Sequence, residues 1–363
     1  MYIIIYSFLL LCLLIEMTLG KNRRYECIVV SIFALSSIFL LASLRWKTGN
    51  DWEAYYDFYN NATEFNYQEQ SYELGFRVLV QFCRNIGLDY TGFLIVVTFL
   101  QLIGFYLLFL RTKNPTLCIL LFFSTYFLGY IATIRQAIAI SMCLIGLIFY
   151  LDRRLKASIL FIFISFLFHY SSLVFFAIYL VPKNIKSMAF YTLYLIVIVF
   201  LSIYVIPILL ELVFSSFSST ALVIKLHDYY TIKSDLGDQA SLIYIWYIKR
   251  ILMIAFFYAL VRFLVPTQAY LFNLYLLGAT IFFIFIKIVP MLGLRGAEYF
   301  NVFEIMLLAL AINSLKGSVY LRVILVIVIS APRLYSSIYS YHPELYVPYY
   351  SVFEKSEVSR QMY

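Results

Sequence analysis

The sequence predicts an all-α polytopic membrane protein, a single membrane domain over residues 1–363 with about 10–12 transmembrane or re-entrant helices. The first observation is composition, because 64% of the residues are hydrophobic and only 13% are charged. Soluble domains are near half apolar and a quarter charged. The second is run length, because many apolar runs reach the roughly twenty residues that cross a bilayer.

The apolar runs follow one another along almost the whole chain. They lie at about 2–19, 26–44, 91–110, 115–134, 136–151, 188–213, 244–264, 268–289, 299–315 and 319–334. The first run has no basic segment before it, and its positive cluster Lys21, Arg23 and Arg24 follows it. This order is typical of a retained first helix and not of a cleaved signal peptide.

Lys and Arg in short loops predict the orientation of the helices. The segments "KNRR" at 21–24, "RTK" at 111–113 and "DRRLK" at 152–156 mark one face, which the positive-inside rule makes cytoplasmic. Residues 45–90 then form an extracytoplasmic loop. The net charge of +8 is spread among such loops, which indicates membrane topology and no nucleic-acid partner.

Within this loop, a helical apolar face over residues 74–82 predicts a helix that lies in the membrane interface. The face contains Leu74, Val78, Leu79 and Phe82. An ordinary external helix is the alternative.

The run 157–181 has basic clusters at both ends and "FHYSS" at its centre. A broken hairpin with His169 at its apex would keep both clusters on the cytoplasmic face, whereas a straight helix would separate them. Irregular backbone at this depth occurs only where it is buried or lines a wet cavity. The hairpin places the loop 214–243 and the tail 335–363 outside, and the straight helix places them inside. The charges of the later loops do not decide between the two.

The segment "RWKTGNDWEAYYDFYNN" at 45–61 joins charged residues to many aromatic ones. Sugars stack on aromatic faces, so the rings of Trp46, Trp52, Tyr55 and Tyr56 are candidates for a sugar-binding wall. An interfacial aromatic belt is the alternative. Asp51 in the same segment and Glu73 beyond it supply carboxylates.

Three charged residues lie within or beside apolar runs, where a charge costs several kcal/mol and is a functional candidate by default. They are Arg135, followed directly by Gln136, and Arg295 with Glu298. The alternatives are a snorkelling turn residue for Arg135 and a local ion pair between Arg295 and Glu298.

His169 is either a packing residue or a general base, because imidazole exchanges protons near neutral pH. The sequence contains no HExxH or CxxC motif and no nucleotide-binding loop, so we predict no metal and no cofactor. We interpret the five Cys as packing residues.

Six motifs, in order, resemble the EpsG/Wzy-type bacterial polysaccharide polymerases over about residues 45–350. They are "RWKTGNDWEAYYDFY", "YELGFRVL", "IRQAIAISM", "FHYSSLVF", "RGAEYF" and "ELYVPYYSVF". The resemblance implies a GT-C-like glycosyltransferase of the inner membrane. It would join undecaprenyl-diphosphate-linked oligosaccharide repeat units into O-antigen, capsule or exopolysaccharide on the outer face, without a metal. A chain-length regulator protein is the implied partner, and the hairpin topology is favoured.

The resemblance and the charge pattern together assign three sets of site residues. The catalytic candidates are Asp51, Glu73 and His169, and the diphosphate-binding candidates are Arg45, Arg135 and Arg295. The sugar-binding candidates are Trp46, Trp52, Tyr55, Tyr56, Gln136, Glu298 and Tyr299. Gly49, Gly75 and Ser171 match further motif positions.

Three other classes stay open on the residues alone. A lipid-linked glycan transporter or flippase would show an internal repeat, which we do not see. A membrane O-acyltransferase would use a buried His as its base. A lipid ligase would use the same donor with a different acceptor.

Overall fold

The computed structural model describes residues 1–19, 23–61, 72–216, 240–286, 289–339 and 342–357. These residues are almost all helical, which confirms the predicted fold class. Within the described ranges, seven helices are long and apolar enough to cross a membrane: Tyr2–Leu19, Arg24–Ser43, Tyr90–Phe109, Ile134–Leu151, Met188–Leu212, Pro266–Phe285 and Val319–Tyr339. A bent pair, Pro290–Glu298 with Asn301–Ser314, makes an eighth, and three shorter apolar helices are Pro115–Thr125, Leu155–Phe168 and Tyr170–Leu180.

The chain divides into two compact units, and we describe each by itself. The first consists of Met1–Phe176 with Leu308–Tyr363, and the second of Ala177–Leu307. The prediction of a single domain stays a prediction. The predicted loop 214–243 falls mostly on residues 217–239, which lie outside the described residues.

The first unit begins with α1 (Tyr2–Leu19), α2 (Arg24–Ser43), α3 (Trp52–Asn61), α4 (Leu74–Asn85), α5 (Tyr90–Phe109), α6 (Pro115–Thr125), α7 (Phe127–Ala132), α8 (Ile134–Leu151) and α9 (Leu155–Phe168). Of these, α1, α2, α5 and α8 begin and end close to predicted apolar runs. The predicted run 115–134 is thus two short helices, because the backbone breaks at Tyr126.

Two short strands join the start and the end of the first unit. Strand β1 (Arg45–Trp46) pairs antiparallel with β2 (Tyr350–Ser351), with Arg45 opposite Ser351. Beside this pair, the Gly49 amide donates to the Leu345 carbonyl oxygen at 3.2 Å. The described part of the tail therefore lies at the same end as residues 45–61. The alternative that placed the two segments on opposite faces is wrong.

The anomalous run 157–181 is broken at His169, as the hairpin interpretation predicted. Helix α9 ends at Phe168, His169 is extended (φ −158°, ψ 121°), and a 3-10 helix follows over Tyr170–Leu180. The alternative of one continuous α-helix is wrong. The return of the chain to the cytoplasmic face stays a prediction.

Helix α4 has the predicted amphipathic character. Leu74, Val78 and Phe82 are 43%, 50% and 57% exposed, whereas Phe76 on the opposite side is fully buried. Leu79 departs from the predicted face, because it is partly buried against an aromatic core. The exposed apolar row has the position that an interfacial helix requires.

The second unit contains α10 (Met188–Phe200), α11 (Ile206–Ser216), α12 (Ala240–Phe263), α13 (Ala269–Phe285), α14 (Pro290–Glu298) and the beginning of α15 (Asn301–Ser314). The last helix, α16 (Val319–Tyr339), belongs to the first unit. Hydrogen bonds join α10 to α13: Tyr191 donates to Asn273 Oδ1 at 2.7 Å, and the hydroxyls of Tyr194 and Thr280 are 2.8 Å apart. Such bonds hold apolar helices together inside a bilayer.

Candidate active site

Arg135 projects from the first turn of α8, at a second break in the helical path. Helix α7 ends at Ala132, and Thr133 has non-helical dihedrals (φ −96°, ψ 69°) before α8 begins. The Arg135 side chain is only 23% exposed. A snorkelling side chain would extend into solvent, so the burial of Arg135 argues against that alternative.

The guanidinium of Arg135 forms an ion pair with Glu73, a residue 62 positions away in sequence. Glu73 directly precedes α4 with an extended backbone, and its side chain is 8% exposed. The Arg135 Nε also donates to the Tyr55 hydroxyl at 3.3 Å. Three separate segments therefore meet at this cation.

Tyr72 is a further contact that the sequence reasoning missed. Its ring centroid lies 4.8 Å from Arg135 Cζ, which is the geometry of a cation–π contact. The available signal was its place directly before Glu73 in the motif "YELGF". We call Arg135, Glu73, Tyr55 and Tyr72 the Arg135 cluster.

The two tyrosines of the cluster stay protonated at neutral pH. Burial raises the pKa of Tyr55 to about 12, although the nearby Arg135 charge opposes this shift. Burial also raises the pKa of Tyr72, and the charge of Asp51 adds to the rise in both pKa values. Asp51 therefore lies within electrostatic reach of the cluster. A protonated Tyr55 hydroxyl can accept from Arg135 and still donate to a substrate oxygen.

The third catalytic candidate, His169, lies just past the end of α9. Helix α4 packs closely against the end of α9 because residue 75 is a glycine. A Cβ at Gly75 would lie 2.8 Å from the Leu167 carbonyl oxygen, so only glycine allows the contact. His169 follows two residues later, with Nδ1 2.6 Å from Ser171 Oγ. Glu73 and His169 are therefore each two residues along the chain from this helix–helix contact.

Arg45 is buried, and its role as a diphosphate ligand stays a prediction. Its side chain is 1% exposed and donates to two backbone carbonyls, those of Ala42 and, at 2.8 Å, Ile131. Burial lowers its pKa, although an arginine keeps its charge. Gly49 (φ +102°) packs against Ala132 from the same segment. Arg45 and Gly49 therefore both contact the end of α7, directly before the break that precedes Arg135.

The role of Trp46 and Trp52 in a sugar-stacking wall stays a prediction. Both are buried, and their rings pack edge to face at 4.7 Å. Trp52 also stacks on half-buried Tyr56 at 5.0 Å, so the ring faces cover one another. Tyr55 is buried as well and contributes its hydroxyl.

The remaining candidates divide by burial. Gln136 is 2% exposed and Tyr299 is fully buried, and their role as sugar contacts stays a prediction. Arg295 and Glu298 are half-buried on α14, which meets α15 at a bend of 51° in the second unit. Their roles stay predictions.

Among the described residues, no group of three or more His, Cys, Asp or Glu side chains is arranged to hold a metal ion. The predicted independence of a metal stays a prediction.

The fold and the cluster define a polytopic α-helical membrane protein with a part-buried charged site at one end of its first unit. A family model described as the EpsG family matches residues 27–351, and the chain belongs to that family. Membership indicates a function related to polysaccharide polymerisation. No curated protein matches the chain, and neither does any solved structure.

Proposed function

We propose that the protein is a glycosyltransferase that joins undecaprenyl-diphosphate-linked oligosaccharide repeat units into O-antigen, capsule or exopolysaccharide. The reaction would occur at the outer face of the bacterial inner membrane, with a chain-length regulator protein as partner. The observation that carries the proposal is the Arg135 cluster, in which a part-buried guanidinium meets a carboxylate from a distant segment. Family membership supports the same class of reaction.

The proposed reaction breaks the bond between an anomeric carbon and the diphosphate oxygen of the donor. A hydroxyl oxygen of the acceptor forms the new glycosidic bond, its proton passes to a protein base, and the electron pair leaves with the diphosphate. Because diphosphate is a good leaving group, the protein has to orient the substrates, accept the proton and stabilise the departing charge.

Arg135 fits the binding of the diphosphate. Its planar fork binds phosphate oxygens bidentately and keeps its charge. A cation about 4 Å from an anion gains about 4 kcal/mol at an effective dielectric near 20. A diphosphate would compete with Glu73 for this guanidinium, and the exchange would release the Glu73 carboxylate to accept a proton.

Glu73 is therefore our first choice of base, and Asp51 and His169 are the alternatives. Arg295 belongs to the second unit, and its role as a diphosphate-binding residue stays a prediction.

The test replaces Arg135 with Lys and with Ala and measures polymer length on gels after expression has been confirmed. We expect Arg135→Ala to leave a surface lipid capped with one repeat unit, and Arg135→Lys to give a weakened ladder. The matched control is Arg84→Ala on α4, because Arg84 is also half-buried, donates to backbone carbonyls of α3 and lies over the Tyr59 ring, outside the Arg135 cluster.

A full ladder of polymer lengths from Arg135→Ala would show that Arg135 has no role in the reaction. An acyltransferase would consume an acyl donor and leave glycan length unchanged in every variant.

A further inference from the structure

A cavity of about 400 Å³ lies at the opposite end of α2 from strand β1. The end of α1, the start of α2, the loop between α5 and α6 and the start of α16 surround it. All of these elements belong to the first unit. On the orientation predicted from Lys and Arg, this end faces the cytoplasm, and helix ends place the cavity at headgroup depth.

Three cations line the cavity: Arg24, Lys113 and Arg322. Arg24 is fixed at the end of α5, because it donates to carbonyl oxygens there, including that of Thr112 at 3.0 Å. Arg322 is half-buried, and its Nε is buried without a hydrogen-bond partner among the described residues. Three positive groups around one cavity favour a phosphate-sized anion.

A buried carboxylate also lines the cavity. Glu16 is 1% exposed, and its Oε1 accepts from the Thr116 amide at 3.3 Å. Within the described residues, its Oε2 is buried and has no hydrogen-bond partner. Such an atom is destabilising if it stays unsatisfied. The cavity therefore has cations that can bind an anion and, beside them, a carboxylate oxygen of Glu16 that can accept a hydrogen bond from a group next to that anion.

We infer that this cavity binds the headgroup of a phospholipid that has a hydroxyl or ammonium donor beside its phosphate. The phosphate would contact Arg24, Lys113 and Arg322, and the donor would bond to Glu16. Basic pockets between transmembrane helices on the cytoplasmic side are suited to lipid headgroups. This site is independent of the proposed polymerase reaction.

The test is native mass spectrometry of the full-length protein in detergent. Short-chain phosphatidylglycerol, which has both a phosphate and hydroxyl donors, is compared with phosphatidylcholine, whose headgroup has no donor. We expect the Lys113→Gln/Arg322→Gln double variant to bind phosphatidylglycerol at least about tenfold more weakly, because charged hydrogen bonds are lost. Lys156→Gln is the matched control, because Lys156 is exposed on the same predicted face and lies outside the cavity.

Inorganic phosphate and a second variant make the result decisive. Glu16→Gln keeps an oxygen for Thr116 but removes the negative charge, so the preference for phosphatidylglycerol over inorganic phosphate should fall. Unchanged phosphatidylglycerol affinity in the double variant would overturn the inference, as would equal binding of phosphatidylcholine by the unmodified protein. Displacement of phosphatidylglycerol by an equal concentration of inorganic phosphate would assign the site to the free anion and overturn the proposal that it binds a lipid headgroup.

Discussion

At the scale of single residues, Arg135 makes two aromatic contacts of different chemical kinds. Tyr55 contributes a hydroxyl that accepts a hydrogen bond from Nε, and Tyr72 contributes the face of its ring. Removal of the hydroxyl therefore affects one contact and leaves the other. This difference allows the role of each tyrosine to be measured by a conservative substitution.

We expect Tyr55→Phe to lower polymerisation by roughly tenfold or more, because a hydrogen bond to a charged group contributes about 1.5–3 kcal/mol. Tyr72→Phe should retain activity, whereas Tyr72→Leu should lose the cation–π energy of about 0.5–2 kcal/mol. Initial rates of polymer formation in membranes measure these effects. Equal rates for Tyr55→Phe and the unmodified protein would exclude the hydroxyl from the reaction.

Glu73 is tested by a change that keeps its shape and hydrogen-bonding oxygen. Glu73→Gln should lower the rate by about 100- to 10,000-fold, the usual contribution of a general base. The control is Glu53→Gln, because Glu53 is a half-buried carboxylate of the neighbouring α3. If Glu73→Gln polymerises normally, the base is Asp51 or His169.

At the scale of elements, the break between α7 and α8 depends on a buried cation. Arg45 reaches from β1 to the Ile131 carbonyl, near the end of α7, while it also binds the carbonyl of Ala42. These two bonds connect β1, the end of α2 and the break before Arg135. Arg45 thus connects three elements next to the Arg135 cluster.

Arg45→Lys should lower stability by about 1–3 kcal/mol, because a single ammonium cannot satisfy both buried carbonyls in the geometry of a fork. The measurement is thermal unfolding of the purified protein in detergent. Arg84→Lys is the control, because Arg84 also donates to two carbonyls but lies nearer to solvent. Equal losses in the two variants would contradict a special role for Arg45.

The elements also show which physical signals a sequence carries. Apolar runs and the helical period of α4 depend on neighbours in the chain, so their prediction agrees with the structure. The pairing of Glu73 with Arg135 depends on packing between segments 62 residues apart, and no local pattern determines it. The aromatic richness of 45–61 is evident in the sequence, but the packing that covers ring faces such as that of Trp52 depends on the three-dimensional structure.

At the scale of the whole molecule, pairing of β1 with β2 determines which segments share a face. Charge counting left the side of the tail open, because its answer depended on the path of the run 157–181. The two-residue strands β1 and β2, which pair with Arg45 opposite Ser351, show that the tail shares a face with residues 45–61. The motifs at 45–61 and in the tail therefore belong to one end of the first unit.

This shared face can be tested with single cysteines and a membrane-impermeant maleimide. The five native Cys are all buried, so their background labelling should be low. Ala54, Glu344 and Arg154 are exposed, and Arg154 lies one membrane span away from the Arg135 cluster, past the far end of α8. We expect Ala54→Cys and Glu344→Cys to react in intact spheroplasts, and Arg154→Cys to react only after the membrane is opened.

Each alternative result would have a distinct meaning. Labelling of positions 54 and 344 from opposite sides would contradict the strand pairing itself. Labelling of both positions only after the membrane is opened would leave the pairing intact but place the Arg135 cluster on the cytoplasmic side. A polymerase that acts on lipid-linked units at the outer face would then be impossible at this site, whatever the substitutions at Arg135 do to the ladder.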